Sequence, residues 1–203
     1  SHLLHFAWYT EHGTYWTARE NLSWVQASFA LMHEFAESGG QRFVAAGTCA
    51  EYDWSHDLCA EATTPCRPST VYGAAKYSTQ LLLEAWAKQI GLSSAWGRIF
   101  FLYGPGECPS RLAPSVINSL LRGEPALCTH GEQLRDFMYV ADVAAGFVAF
   151  FVVATDLEKK ENRFNDFAFF AGGSMINLLS AGFFSFWLCR STLSGSQNGP
   201  ILW

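Results

Sequence analysis

Two short apolar runs, "RFVAAGT" at residues 42–48 and "SSAWGRI" at 93–99, each follow a helix-periodic segment, and this alternation restricts the fold more than any other feature. A strand buried on both faces reads as a continuous apolar run, and strands alternating with helices pair as a parallel sheet covered by those helices. In "TARENLSWVQASFALMHEFAESGG", Leu22, Val25, Phe29, Met32 and Ala36 recur at three- and four-residue spacing, and Gly39 and Gly40 stop the helix. A second helix carries Leu81, Leu82, Ala85 and Ile90, the expected apolar face. "SSAWGRIFFLYGPG" reads as one further buried strand that leaves into a Gly/Pro turn. The chain opens on an apolar strand-like run, Leu3 to Ala7, as though entered in mid-fold.

In open parallel sheets, ligands bind at the carboxyl ends of the strands. Thr48 and Tyr103 sit just past such ends, and Tyr72 opens the helix that follows one of those loops, so the three are expected to share one crevice. Tyr72 also stands four residues before Lys76, which puts both side chains on one helix face. Two readings follow. In the plain one the helix is amphipathic, with a partly buried tyrosine and a solvated lysine. In the chemical one the pair is an acid/base couple: a phenol titrates near ~10, and lowering it by about three units takes about 4 kcal/mol of preference for the phenolate. A neighbouring ammonium supplies part of that.

Composition removes several classes. The chain has 203 residues, half of them apolar, and a formal net charge of −5. Lys and Arg are scattered, apart from Lys159 and Lys160, so nucleic acid is excluded as a partner. The six cysteines form no C-x-x-C pair and have no His at metal-ligand spacing, which predicts no metal and a reducing, cytoplasmic setting. The most apolar run, Val143 to Ala154, is about half the ~20 residues of a membrane span and reads as a buried helix; no membrane partner is expected.

The order of "HFAWY", Asn21, the strand ending in Thr48, "YGAAK", "GRIFFLYGPG" and "RDFMYVADVA" resembles the extended branch of the short-chain dehydrogenase/reductases, the family of nucleotide-sugar epimerases, dehydratases and reductases. The resemblance covers residues 3 to about 150. It implies an α/β fold: a Rossmann-like doubly wound parallel sheet, here lacking its first βαβ units, with a small C-terminal substrate lobe. It implies a catalytic set of Thr48, Tyr72 and Lys76, with NAD or NADP as cofactor. Cofactor contacts are implied for His5, Ala7, Tyr72, Lys76 and Arg98, and substrate contacts for Asn21, Tyr103 and Arg135. Arg135 would grip the diphosphate of a nucleotide-sugar substrate, as a guanidinium fork suits phosphate oxygens; the plain reading is a salt bridge to Asp136 or Asp142. His5 reads as a packed strand residue and His130 as a loop residue near the diphosphate. A homodimer is a further expectation.

This sequence departs from the family pattern twice. It contains no G-x-x-G-x-x-G turn, the element whose helix end holds the pyrophosphate. From Phe164 to Trp203 only Asp166 and Arg190 are charged, an apolar tail that matches the family poorly. The expected organisation is a partial dinucleotide-binding domain over 1–106, a substrate-lobe segment over 107–150, and the tail over 151–203. Dehydratases of the family resemble one another in placing acidic residues directly after the catalytic threonine, and here those places hold Cys49 and Ala50, with Glu51 one residue late. The expected chemistry is therefore hydride transfer at the sugar C4, as a nucleotide-sugar epimerase or a 4-keto-sugar reductase. The alternatives are a non-catalytic nucleotide-sugar-binding or regulatory protein of the same fold, and a 4,6-dehydratase.

Overall fold

A computed structural model describes residues 1–157 apart from Asp57 and His130; the apolar tail from 158 on and the expectation for His130 lie outside the described residues. Two compact units emerge, one of Ser1–Phe100 with the helix from Ala141 on, the other of Phe101–Val140.

The first unit is a three-stranded parallel sheet in the order β1 (His2–His5), β2 (Arg42–Thr48), β3 (Ser93–Ile99). Helix α1 (Glu20–Glu37) joins β1 to β2, and α2 (Val71–Ile90) joins β2 to β3. Because the strand order does not reverse, right-handed crossovers place both helices on one face of the sheet. There Met32, Phe43, Ala45, Leu83, Ala87 and Trp96 close into one core. Every residue of β2 is buried, as its uninterrupted apolar run requires. The residue after Trp96, Gly97, faces the opposite side, and Phe147 of α4 (Val140–Leu157) packs there on its bare backbone and on Phe6.

On α1 the face that apolar periodicity picks out does turn inward, with Met32 buried and Val25 and Phe29 packed against core clusters; on α2 it does not. On α1 the buried residues are Asn21, Ser28 and Met32, while Leu22 is exposed. On α2 they are Tyr72, Gly73, Ala75, Lys76, Thr79, Gln80, Leu83 and Ala87, while Leu81, Leu82 and Ile90 face outward. The strand ends that these helix starts cover carry polar groups, so polar side chains that pair with them are what goes inside.

The run from Ser93 to Tyr103 is also not one strand. Ile99 pairs with Thr48, the last residue of β2, so beyond it β3 has no partner along that edge. The chain breaks at Phe100, and β4 (Phe101–Tyr103) pairs in parallel with β5 (Phe137–Tyr139) in the second unit. The Phe101 amide donates to the Asp136 carbonyl, and Phe101 stacks on Phe137 and Tyr103 on Tyr139 across the ladder. Helix α3 (Leu112–Leu121) completes this unit and buries none of its residues.

Candidate active site

At the end of β2 the chain turns sharply through a single 3₁₀ turn, Cys49–Glu51. The Thr48 hydroxyl accepts from the Ala50 amide at 3.2 Å, and the Glu51 carboxylate accepts from the Thr48 amide at 2.8 Å. Two side chains thus satisfy the amides at the turn's start reciprocally, which fixes the direction of the threonine hydroxyl.

Tyr72 is brought to the same place by the first turn of α2. Thr70 caps that helix, accepting from the Gly73 amide at 3.1 Å, and the Trp16 carbonyl accepts from the Tyr72 amide at 3.1 Å. A Cβ on Gly73 would stand 2.4 Å from the Ala50 carbonyl oxygen, so only glycine lets α2 start flush against the turn after β2. The Tyr72 phenol hydrogen-bonds with Thr48, and Tyr15 and Trp16 meet its ring edge-on at 4.9 and 5.7 Å. One turn along α2, Lys76 is 4% exposed; its Nζ donates to the Ala46 carbonyl at 2.8 Å and lies 4.0 Å from the centre of the Trp8 ring. The Trp8 indole is itself anchored, donating to Asn21 Oδ1 at 2.8 Å.

Burial dominates the electrostatics. It pushes the Tyr72 phenol well above the ordinary tyrosine value, against the opposing hydrogen bond from Thr48. It brings Lys76 down to about 8, with Glu51's charge working the other way. Cys49 is pushed up to about 12, chiefly by burial, and so carries no acidic proton at neutral pH. Here the phenol is a protonated group: Tyr72 stands as a proton donor held by Thr48, and the ammonium of Lys76 is engaged by backbone and indole rather than by the phenol.

Three residues expected to touch ligands are turned inward. Asn21 is fully buried: its Nδ2 donates to the Tyr15 and Ala18 carbonyls at 2.7 and 2.9 Å, and its Oδ1 accepts from Trp8. It fastens the 8–18 loop to α1 instead of facing a substrate. His5 is buried, its Nε2 2.9 Å from Ser28 Oγ, and burial brings it down to about 4, so it is a neutral packed residue. Arg98, expected at the cofactor, has its guanidinium inside the sheet, donating from Nε to Glu51 Oε2 at 2.7 Å, from Nη1 to the Tyr52 hydroxyl at 3.2 Å and from Nη2 to Gln80 Oε1. A buried guanidinium needs its fork filled, and these acceptors fill it. Ala7 is exposed just past the carboxyl end of β1.

Tyr103 and Arg135 belong to the second unit. There Tyr103 packs on Tyr139, and Arg135 donates from Nη1 to the Leu134 carbonyl at 2.8 Å with its guanidinium 5.4 Å from the Phe101 ring centre. The sequence had signalled Trp8 and Glu51 weakly and Gln80 not at all, since a glutamine on an apolar helix carries no pattern. Among the described residues no group of three His, Cys, Asp or Glu could hold a metal, and no helix is long and apolar enough to cross a membrane.

The family model of the NAD dependent epimerase/dehydratase family matches residues 1–165, and the chain belongs to that family. The dTDP-glucose 4,6-dehydratase of Salmonella typhimurium is 39% identical over 83 residues, 40% of this chain and 23% of that protein. A solved structure of MoeE5 in complex with UDP-glucose and NAD is 32% identical, with a TM-score of 0.55 over 63% of this chain and 44% of that one. The UDP-N-acetylglucosamine 4-epimerase of Bacillus cereus shares the fold at 20% identity, with a TM-score of 0.68 over 83% of this chain and 55% of that one. The sheet is therefore Rossmann-like, as the resemblance implied. The chain spans about a quarter to a third of the length of the curated relatives it matches.

The donor set suits the dinucleotide that the family description implies. An ammonium has three N–H groups, and the one seen engaged goes to a backbone carbonyl. Beside a phenol and a threonine hydroxyl, it makes a cluster of donors suited to the hydroxyls of a cofactor ribose.

Proposed function

We propose that the protein acts on a nucleotide sugar, with NAD, by oxidation and reduction at the sugar C4, as an epimerase or a 4-keto-sugar reductase. One observation carries this reading: Thr48, Tyr72 and Lys76 meet at one strand end, while the acidic residue closest to Thr48 in sequence, Glu51, has its carboxylate tied to β3. Such a site supplies one proton and a grip on one oxygen, and lacks a free carboxylate from the turn for removing a second proton from a neighbouring carbon. Tyr72, a protonated phenol, gives its proton to the C4 oxygen as a 4-keto group is reduced and takes it back as the alcohol is oxidised. Thr48 holds the same oxygen, and Lys76 binds the cofactor ribose and holds positive charge near the phenol. A bound nicotinamide supplies and accepts the hydride. Ala7 would line the cofactor, and Tyr103 and Arg135 would serve the sugar nucleotide, Arg135 on its diphosphate.

Exposed Leu22, Leu81 and Leu82 on α1 and α2 support a homodimer, and the unbridged state of Cys49, Cys59, Cys66, Cys108 and Cys128 accords with a cytoplasmic setting. The second reading, a 4,6-dehydratase, is favoured by the likeness to the Salmonella enzyme. The full-length polypeptide should be assayed with UDP- and dTDP-hexoses by mass spectrometry and NMR. The proposal expects C4-inverted or C4-reduced sugar of unchanged carbon skeleton, lost on the order of 10²- to 10⁴-fold in Tyr72→Phe, the size of a general acid/base contribution. Loss of one water from the sugar establishes the dehydratase instead, and unimpaired turnover by Tyr72→Phe removes the proton role of Tyr72.

A further inference from the structure

Beneath the Thr48 hydroxyl lies a buried polar assembly that the reaction just described does not use. Glu51 is wholly inaccessible, and every hydrogen bond seen at its carboxylate comes from a donor. The Thr48 amide reaches Oε1 at 2.8 Å, Trp96 Nε1 lies 3.1 and 3.2 Å from the two oxygens, and Arg98 Nε reaches Oε2 at 2.7 Å. Donors on both oxygens suit an ionised carboxylate, and they work against burial, which pushes the Glu51 pKa upward. Arg98 carries the connection on, through Nη2 to Gln80 of α2 and through Nη1 to Tyr52 just after the turn. Gln80 is one helical turn past Lys76, which is one turn past Tyr72. At Gly47 a Cβ would lie 2.1 Å from Trp96 Nε1 and 2.7 Å from Glu51 Oε1, so the space that admits the carboxylate is reserved by the absence of a side chain.

We infer that Glu51 and Arg98 are positioning residues that lock the end of β2 to α2 and so hold Thr48 in register with Tyr72 and Lys76. Charge burial is costly and a hydrophobic replacement of similar volume is often no less stable, so stability alone does not explain the pair. What the pair supplies is direction. A carboxylate that takes Thr48's own amide on one oxygen and Arg98 on the other, and a planar fork reaching on to the helix, set the relative placement of two elements whose side chains must meet on one oxygen. Displacements near 1 Å at a reacting centre cost about a hundredfold in rate. The inference rests on the proposed role of Thr48, and its test separates the two.

In Glu51→Gln the Thr48 amide loses its charged acceptor. Hydrogen exchange followed by NMR should show that amide exchanging at least tenfold faster, with Val44 in the middle of β2 unchanged. In the full-length polypeptide kcat should fall roughly ten- to a hundredfold, with the Michaelis constant for the nucleotide sugar within about threefold. In a Thr48→Ala background the same substitution should cost less than about twofold, because the residue through which it acts is gone. Arg98→Lys, which keeps the charge and loses the fork, is the second variant should Glu51→Gln not fold; it should speed exchange of the Thr48 amide and lower kcat below the parent, with the Michaelis constant for the nucleotide sugar within about threefold. Unchanged Thr48 exchange, or multiplicative losses in the double variant, would overturn the lock. Should Thr48→Ala itself leave turnover intact, the proposed function of Thr48 falls, and the lock is decided by the exchange measurement alone.

Discussion

Lys76 is the buried charge whose burden can be measured without any ligand. Burial holds its folded pKa at about 8, against an ordinary lysine value near 10.5. Because the folded value is the lower one, the unfolded chain binds more protons between those limits, and stability rises with pH through that window. Below pH 8 both states are charged at this site and the slope disappears. Between pH 7 and pH 10 the linkage integrates to about 2.5 kcal/mol. Lys76→Met has a similar length and no titrating group, so its stability lacks this component; His5, which feels the Lys76 charge, titrates at about 4, below this window. The expected result is that urea unfolding of the 203-residue chain, followed by tryptophan fluorescence at pH 7, 8.5 and 10, shows the parent gaining about 2.5 kcal/mol relative to Lys76→Met across the series. At pH 7 the variant should equal or exceed the parent, since removing the buried charge offsets the lost bond to Ala46, worth about 1.5 to 3 kcal/mol. Parallel pH profiles for the two proteins would refute the argument and place the ammonium in water.

Two further substitutions probe the site from its edges. Gly73→Ala forces a Cβ against the Ala50 carbonyl and should cost about 1 to 3 kcal/mol by thermal melting, a small-to-large clash with the Ala50 backbone and the Pro68 ring; a melt within half a degree of the parent would show that α2 has room to shift. Arg135→Ala in the full-length polypeptide should raise the Michaelis constant for a nucleotide sugar roughly ten- to a hundredfold and leave kcat less affected, as expected for loss of a charge-assisted bond felt equally in ground and transition states. An unchanged Michaelis constant would assign Arg135 a structural role, through contacts such as those with Leu134 and Phe101.

The sequence by itself determined the parallel sheet, because unbroken apolar strands and the helices between them have few other ways to bury their surface. It also determined the order in which Thr48, Tyr72 and Lys76 come to the strand ends, since that order is local: a strand terminus, a helix start and one helical turn. It found the inward face of α1, where Met32, Phe29 and Val25 pack on the core, and misjudged that of α2, because periodicity counts apolar residues and cannot see that a strand end studded with polar groups draws Lys76 and Gln80 inward. It placed Arg98 at the cofactor, because a motif records a residue type and not the direction of its fork. Only the tertiary structure joined Glu51 to Arg98 across 47 positions of sequence and Lys76 to Ala46 across 30. Such pairings follow from how a turn, two strands and a helix close on one another in space, and a buried charge takes the partner that this closure brings within reach.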